Sequence, residues 1–127
     1  MRLLVDTNRY AVIVGNKREN VEYLSQAEEV WLSLITVGEL LAGFAIGTQR
    51  EFHEQRLEEV LDAQGVGVLT PDLETARIYA QVHRDLRRQG RPIPTNDMWI
   101  AAQALQHGLA LDTRDVHFQQ VAGLTLV

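Results

Sequence analysis

No cysteine occurs among the 127 residues, which excludes disulfides, thiolate metal sites and cysteine nucleophiles. Lysine is almost as scarce: Lys17 stands alone, and every other basic side chain is arginine. A phosphate loop ending in Gly-Lys-Ser/Thr is therefore missing. The second half of the chain holds no lysine for a Schiff base or a phosphoryl clamp. Arginine remains available and is the better residue for forked contacts to phosphate. No apolar run approaches the length of a membrane span, and Met1 to Asp6 is too short an apolar run for a signal peptide. With cysteine absent as well, the expectation is a cytoplasmic protein without a membrane partner. Positive charge is also in deficit. Twelve Lys and Arg against 17 Asp and Glu give a net charge of −5, which argues against a generally basic nucleic-acid coat. Repeats, linkers and low-complexity segments are lacking, so residues 1–127 read as one domain.

What is present is a series of short apolar runs separated by helical patterns. Leu3-Leu4-Val5, Val30-Trp31-Leu32, Val66 to Leu69, Leu109-Ala110-Leu111 and Leu124 to Val127 read as strands. Between them, helices are expected at Arg9–Val14, ended by Gly15, at Lys17–Ala27, at Val37–Ile46, closed by Gly47, and at Gln49–Ala63. Pro71-Asp72 opens a long helix to about Gln89, and Asp97–His107 is the last, capped by Thr95 or Asn96 and ended by Gly108. Strands alternating with helices imply an α/β domain with a mainly parallel sheet of four to five short strands.

Acidic residues recur where such a sheet gathers its ligands. Asp6 ends the first strand, and ligands of open parallel sheets collect beyond the carboxyl ends of strands. Glu39 lies three residues after Thr36, and two readings compete for it. One is a capping box; the other is a carboxylate sharing an inward face with Ala42, Gly43 and Ile46. Asp97 heads the apolar stripe Ile100, Ala101, Ala104 and Leu105, an unusual place for an acid serving only the helix dipole. Asp115 leaves a strand, with a cap or turn role as its ordinary reading, and Asp112 reads equally well as a surface acid.

If Asp6, Glu39, Asp97 and Asp115 converge, their mutual repulsion requires protonation, arginine or a cation. All-oxygen ligation suits Mg²⁺ or Mn²⁺, and such ions promote in-line hydrolysis of phosphodiesters. Asn8 and Thr113 are placed to orient the carboxylates. Arg77, Gln81, Arg84 and Arg88 share one face of the long helix, so Arg84, Arg88 and nearby Arg91 are candidates for contact with a phosphate backbone, evenly weighed against a solvated face. No histidine has zinc-ligand spacing, and a catalytic His117 is disfavoured because a metal can activate water without a side-chain base.

Four motifs then carry a resemblance. They are Leu4-Val5-Asp6-Thr7-Asn8, Ser33-x-Ile35-Thr36-x-x-Glu39-Leu40-x-x-Gly43, Pro94-x-x-Asp97-x-Trp99-Ile100-Ala101-Ala102, and Thr113-Arg114-Asp115-x-x-Phe118. In this order the chain resembles the PIN-domain ribonucleases, and among them toxins of the VapC type from toxin–antitoxin pairs. The resemblance implies a three-layer α/β/α fold and a Mg²⁺- or Mn²⁺-dependent endoribonuclease whose acidic site is Asp6, Glu39, Asp97 and Asp115. It also implies a homodimer, an RNA substrate, and inhibition by a small VapB-like antitoxin whose peptide covers the groove. Two features depart from the family pattern: Arg9-Tyr10 stands where the family is usually aliphatic, and Asp112 where it mostly has an apolar residue. The alternatives are a non-catalytic RNA- or protein-binding module of the same fold, and a phosphatase using Asp6 as nucleophile. The latter is weakened by Asn8 standing where a second acid is needed.

Overall fold

The computed structural model describes residues 1–15 and 25–127. Four strands form one sheet: β1 (Arg2–Val5), β2 (Glu29–Ser33), β3 (Val66–Leu69) and β4 (Ala110–Asp112). Five α-helices accompany them among the described residues: α1 (Thr7–Gly15), α2 (Leu34–Ile46), α3 (Arg50–Asp62), α4 (Leu73–Arg88) and α5 (Thr95–His107). A 3₁₀ helix, Val116–Gln120, follows β4. The helix expected over Lys17–Ala27 lies for its greater part outside the described residues. No described helix is long and apolar enough to cross a membrane.

The strand order is β3-β2-β1-β4, and every pairing is parallel. Each strand therefore needs a crossover, and the crossovers place helices on both faces, as the continuous apolar runs required. Leu4 packs on one face with Val82 and Leu86 of α4 and Ile100, Ala101 and Ala104 of α5. Its neighbour Val5 points to the other, with Tyr10 and Ile13 of α1, Val37 and Leu40 of α2, and Leu57 of α3. A period of two thus divides one apolar strand between two cores, giving the three-layer α/β/α arrangement. The fifth strand, expected at Leu124–Val127, is reduced to a single parallel bridge between Leu111 and Leu126. Thr125 accepts from the Leu111 N–H and the Val127 N–H donates back to Leu111, so the segment covers the β4 edge without extending the sheet.

Helix ends show where local sequence competed with itself. Ser33, not Thr36, caps α2, its hydroxyl accepting from the Ile35 N–H at 3.1 Å. Thr36 falls inside the helix and is fully buried, which removes the capping-box reading of Glu39. The inward stripe is Thr36, Val37 and Leu40, while Ala42, Gly43 and Ile46 are exposed, contrary to expectation. The helix buries its first two turns most deeply, and in its last turn Phe44 still packs, partly buried, against the same core. Likewise α5 begins at Thr95 with Pro94 at the capping position, so Thr95 and Asn96 lie in its first turn. Proline suits that boundary because its missing N–H would have no intrahelical partner. Gly108 ends α5 with φ of 63°, a left-handed conformation that disfavours side chains.

Side chains then fasten α5 in place. Gln103, fully buried, donates to the Leu69 carbonyl at 3.1 Å, and Gln106 donates to Asp72 at 2.9 Å. Asp72 also accepts from the Thr75 N–H in a reciprocal cap at the start of α4. The ring of Tyr79 on α4 stacks on Trp99 of α5, with centroids 4.2 Å apart.

On β2, Trp31 lies across from Gly67 of β3, and a Cβ at Gly67 would stand 2.5 Å from the indole. The indole is also held by its N–H, which donates to Glu29 at 3.0 Å. Gly67→Ala is therefore expected to destabilise the fold by about 1–3 kcal/mol in urea unfolding. Adding Trp31→Leu should recover most of the loss. A Gly67→Ala chain as stable as the parent would show that the ring is free to move aside.

Candidate active site

Chain order reverses direction between β1 and β4: β2 and β3 build outward on one side of β1, and β4 joins on the other. Such a reversal opens a crevice beyond the strand ends, because the flanking connections leave in opposite directions. Here that crevice is a cleft of about 570 Å³, lined by Asp6, Thr7, Asn8, Glu39, Pro94, Thr95, Asn96, Asp97 and Asp115. All four acids singled out from the sequence face it, brought there by β1, α2, α5 and the segment leaving β4.

Asp6 is the most enclosed of the four, 5% exposed. Its Oδ1 accepts the Thr7 N–H at 2.8 Å; Oδ2 accepts the Thr113 hydroxyl at 2.7 Å and the Asn8 amide at 3.3 Å. The Asp6 N–H donates to the Asp112 carbonyl, and the Asp6 carbonyl accepts from the Arg9 N–H, so both sides of the residue are bound to the frame. Asn8 and Thr113 also engage the loop after β4: the Arg114 N–H donates to Asn8, and the Asp115 N–H donates to Thr113.

Glu39 accepts from the Thr7 hydroxyl at 3.3 Å. Its carboxyl pKa is raised, chiefly by burial, with Asp97 and Asp6 adding repulsion and hydrogen bonds from Thr7 and Asn96 opposing it. Asp97 is likewise pushed up, first by burial and then by Asp6 and Asp115, while the His117 contact acts against the rise. These acids disfavour one another, and among the described residues no lysine or arginine lines the cleft to offset them. A donor set dominated by carboxylate oxygens that repel one another fits a hard divalent cation, whose binding would replace repulsion with attraction.

His117 is the residue that sequence reasoning undervalued. Its Nε2 lies 2.6 Å from Asp97 and its Nδ1 2.8 Å from Asp115, and the three side chains offer donor atoms within 4.8 Å of one another. The Asp-x-His spacing at Asp115 was the available signal, but a 3₁₀ turn was needed to aim the ring. Ser33, by contrast, takes no part in orienting the acids: its hydroxyl accepts from the Ile35 N–H. Arg84, Arg88 and Arg91 are exposed and do not line the cleft, and Arg84 pairs with its neighbour Asp85 at 3.5 Å.

The two departures from the family pattern prove to be one feature. Asp112 neither faces solvent nor joins the acids of the cleft. It is 4% exposed, and its Oδ1 accepts from Arg9 Nε at 3.0 Å. Arg9 and Asp112 thus pack α1 against the end of β4 directly behind Asp6. Tyr10, the other unusual residue, is buried in the core, and its phenol pKa is raised by burial.

Comparison with known proteins gives a consistent picture. A family model described as the PIN domain matches residues 3–124. The chain is 39% identical to VapC ribonuclease Y4jK of Sinorhizobium fredii, over 79% of this chain and 74% of that one. It is 34% identical to Ribonuclease VapC1 of Haemophilus influenzae, over 98% and 95% of the two chains. The solved structure of VapBC-1 from nontypeable Haemophilus influenzae superposes with a TM-score of 0.87 at 30% identity, covering 100% of this chain and 97% of that one.

Two outcomes follow from the charges described. Arg9→Leu or Asp112→Leu alone should cost on the order of 3 kcal/mol in denaturant unfolding, because each strands a charge, whereas the double substitution should cost far less. Additive losses would show that the pair is not coupled. For Glu39, a folded-state pKa above the unfolded one means the proton binds more tightly in the fold. The resulting stabilisation is full below the unfolded pKa and disappears as pH rises through the folded pKa. In chelator, Glu39→Gln should therefore raise Tm at pH 7 and lose that advantage as the pH falls below the carboxylate range. A Tm difference that does not vary with pH would refute the assignment.

Proposed function

Since this chain belongs to the PIN-domain family, and within it to the VapC ribonuclease toxins of type II toxin–antitoxin systems, we propose that the acidic cleft hydrolyses RNA phosphodiester bonds with Mg²⁺ or Mn²⁺ as cofactor. The single observation that carries this reading is the meeting of Asp6, Glu39, Asp97 and Asp115 in one cleft, with no lysine or arginine lining it among the described residues. Asp6 and Asp97 are the principal ligands in this reading, with Glu39 and Asp115 completing the set. When bound, the divalent ion supplies charge neutralisation and an activated water for in-line attack at phosphorus.

The chain's own residues do the positioning. Asp6 presents fixed oxygens because Thr7, Asn8 and Thr113 hold both of them. Asp97 projects from the first turn of α5, which no side chain caps. That end of the helix carries partial positive charge, favourable to the Asp97 carboxylate and to an incoming phosphate alike. Arg84, Arg88 and Arg91, exposed on and after α4, are proposed to touch the RNA backbone outside the cleft.

The expected partners are the RNA substrate, a VapB-like antitoxin and a second copy of the chain, in the cytoplasm. Solved relatives are VapBC assemblies, which supports the antitoxin. Exposed apolar side chains, Leu41 and Ile46 on α2 and Phe52 on α3, offer surface for a protein partner.

Purified protein should cleave single-stranded RNA with Mg²⁺ or Mn²⁺ and stop when the metal is chelated. Asp6→Ala and Asp97→Ala should each lower the cleavage rate by more than about a hundredfold, with circular dichroism unchanged. Cleavage at the parental rate by either folded variant would sink the assignment. RNA binding without metal-dependent cleavage would favour a binding module instead.

A further inference from the structure

Resting on the reading of the cleft as a metal-binding nuclease site, we propose that His117 is its positioning residue, tying Asp97 of α5 to Asp115 beyond β4 so that the acids keep the spacing a divalent ion needs. The two carboxylates arrive on separate elements: Asp97 rides on the helix fastened to β3 by Gln103, and Asp115 on the short segment after β4. The imidazole stands between them, Nε2 at 2.6 Å from Asp97 and Nδ1 at 2.8 Å from Asp115.

Its own aim is fixed from behind. Phe118, the next residue, is fully buried, and its ring lies 5.1 Å from that of His117, while Val116 on the other side is 72% exposed. One side chain of the 3₁₀ helix is thus driven into the core and one into solvent, leaving the imidazole directed sideways into the acids.

The contacts continue beyond the pair. The Asp115 N–H donates to the Thr113 hydroxyl at 3.0 Å, and that hydroxyl donates to Asp6 Oδ2 at 2.7 Å. Polar contacts therefore connect Asp97 through His117 to the Asp115 carboxylate, and the Asp115 backbone N–H connects in turn through Thr113 to Asp6. His117 is the member of this path that joins the helix side of the cleft to the strand side. Without it, two like-charged carboxylates lose the group that separates and orients them, and like charges at that distance move apart. Partners that orient metal ligands matter to affinity nearly as much as the ligands do.

Calorimetric titration of the full chain with Mn²⁺, at one pH, tests this without an activity readout. His117→Ala is expected to weaken Mn²⁺ binding by about ten- to hundredfold, with His117→Gln, which keeps a donor within reach of Asp97, recovering part of the loss. Binding by His117→Ala within twofold of the parent overturns the proposal, as does equal loss in the alanine and glutamine variants. Electron spin echo spectra of Mn²⁺ on the parent give an arm independent of any variant's folding. A directly coordinated imidazole nitrogen would make His117 a ligand and overturn the positioning role. Asp97→Ala serves as the control on the cleft itself. Mn²⁺ uptake that survives Asp97→Ala, or no uptake by the parent, brings down the metal-site reading, whereas uptake sensitive to Asp97 and indifferent to His117 brings down this inference alone.

Discussion

Repulsion among carboxylates is the constraint that the rest of the molecule answers. Left to themselves, four acids would not share a cleft of this size, and the burial that raises Glu39 and Asp97 makes their company costlier still. They are held together because each is fixed to a different rigid element, and those elements are locked by apolar packing on both faces of the sheet. The fold stores unfavourable electrostatics where the nuclease reading needs a cation, and strong packing elsewhere sustains it.

Behind the site, neutral and charged contacts divide the work. Asp6 is fixed largely through main-chain bonds to Asp112 and Arg9, whose side chains then pair with each other. A buried ion pair is a poor source of stability by itself, since desolvation offsets most of its attraction. Its merit here is specificity of placement, because an arginine fork and a carboxylate meet in few geometries while two aliphatic chains slide.

Much of this was legible in the sequence, for identifiable reasons. Parallel strands buried on both faces leave unbroken apolar runs, so Leu3 to Val5 and Val30 to Leu32 announced the sheet and placed Asp6 at a strand end. Asp97 stood out because an acid at the head of the stripe Ile100, Ala101 and Ala104 is anomalous, and those three are buried. Other features had no local signature. Ser33 and Thr36 are both good helix starters, and only the sheet's end decides between them. Arg9 and Asp112 are 103 residues apart, so nothing near either one discloses its partner. The direction of the His117 ring depends on the 3₁₀ turn and on Phe118 entering the core, both set by tertiary packing.

The pairing of β1 with β4 brings Leu3 beside Ala110 and Val5 beside Asp112. Contacts so distant along the polypeptide are slow to form and cannot form until the later segment exists. During vector-like synthesis from the first residue, β1 must wait with one edge bare while some hundred residues are added. A chain released early, or one still emerging from the ribosome, carries Asp6 without Asp97, Asp115 or the threonine that orients it. On the nuclease reading, the site is therefore assembled only when the last segment of the polypeptide has joined the sheet.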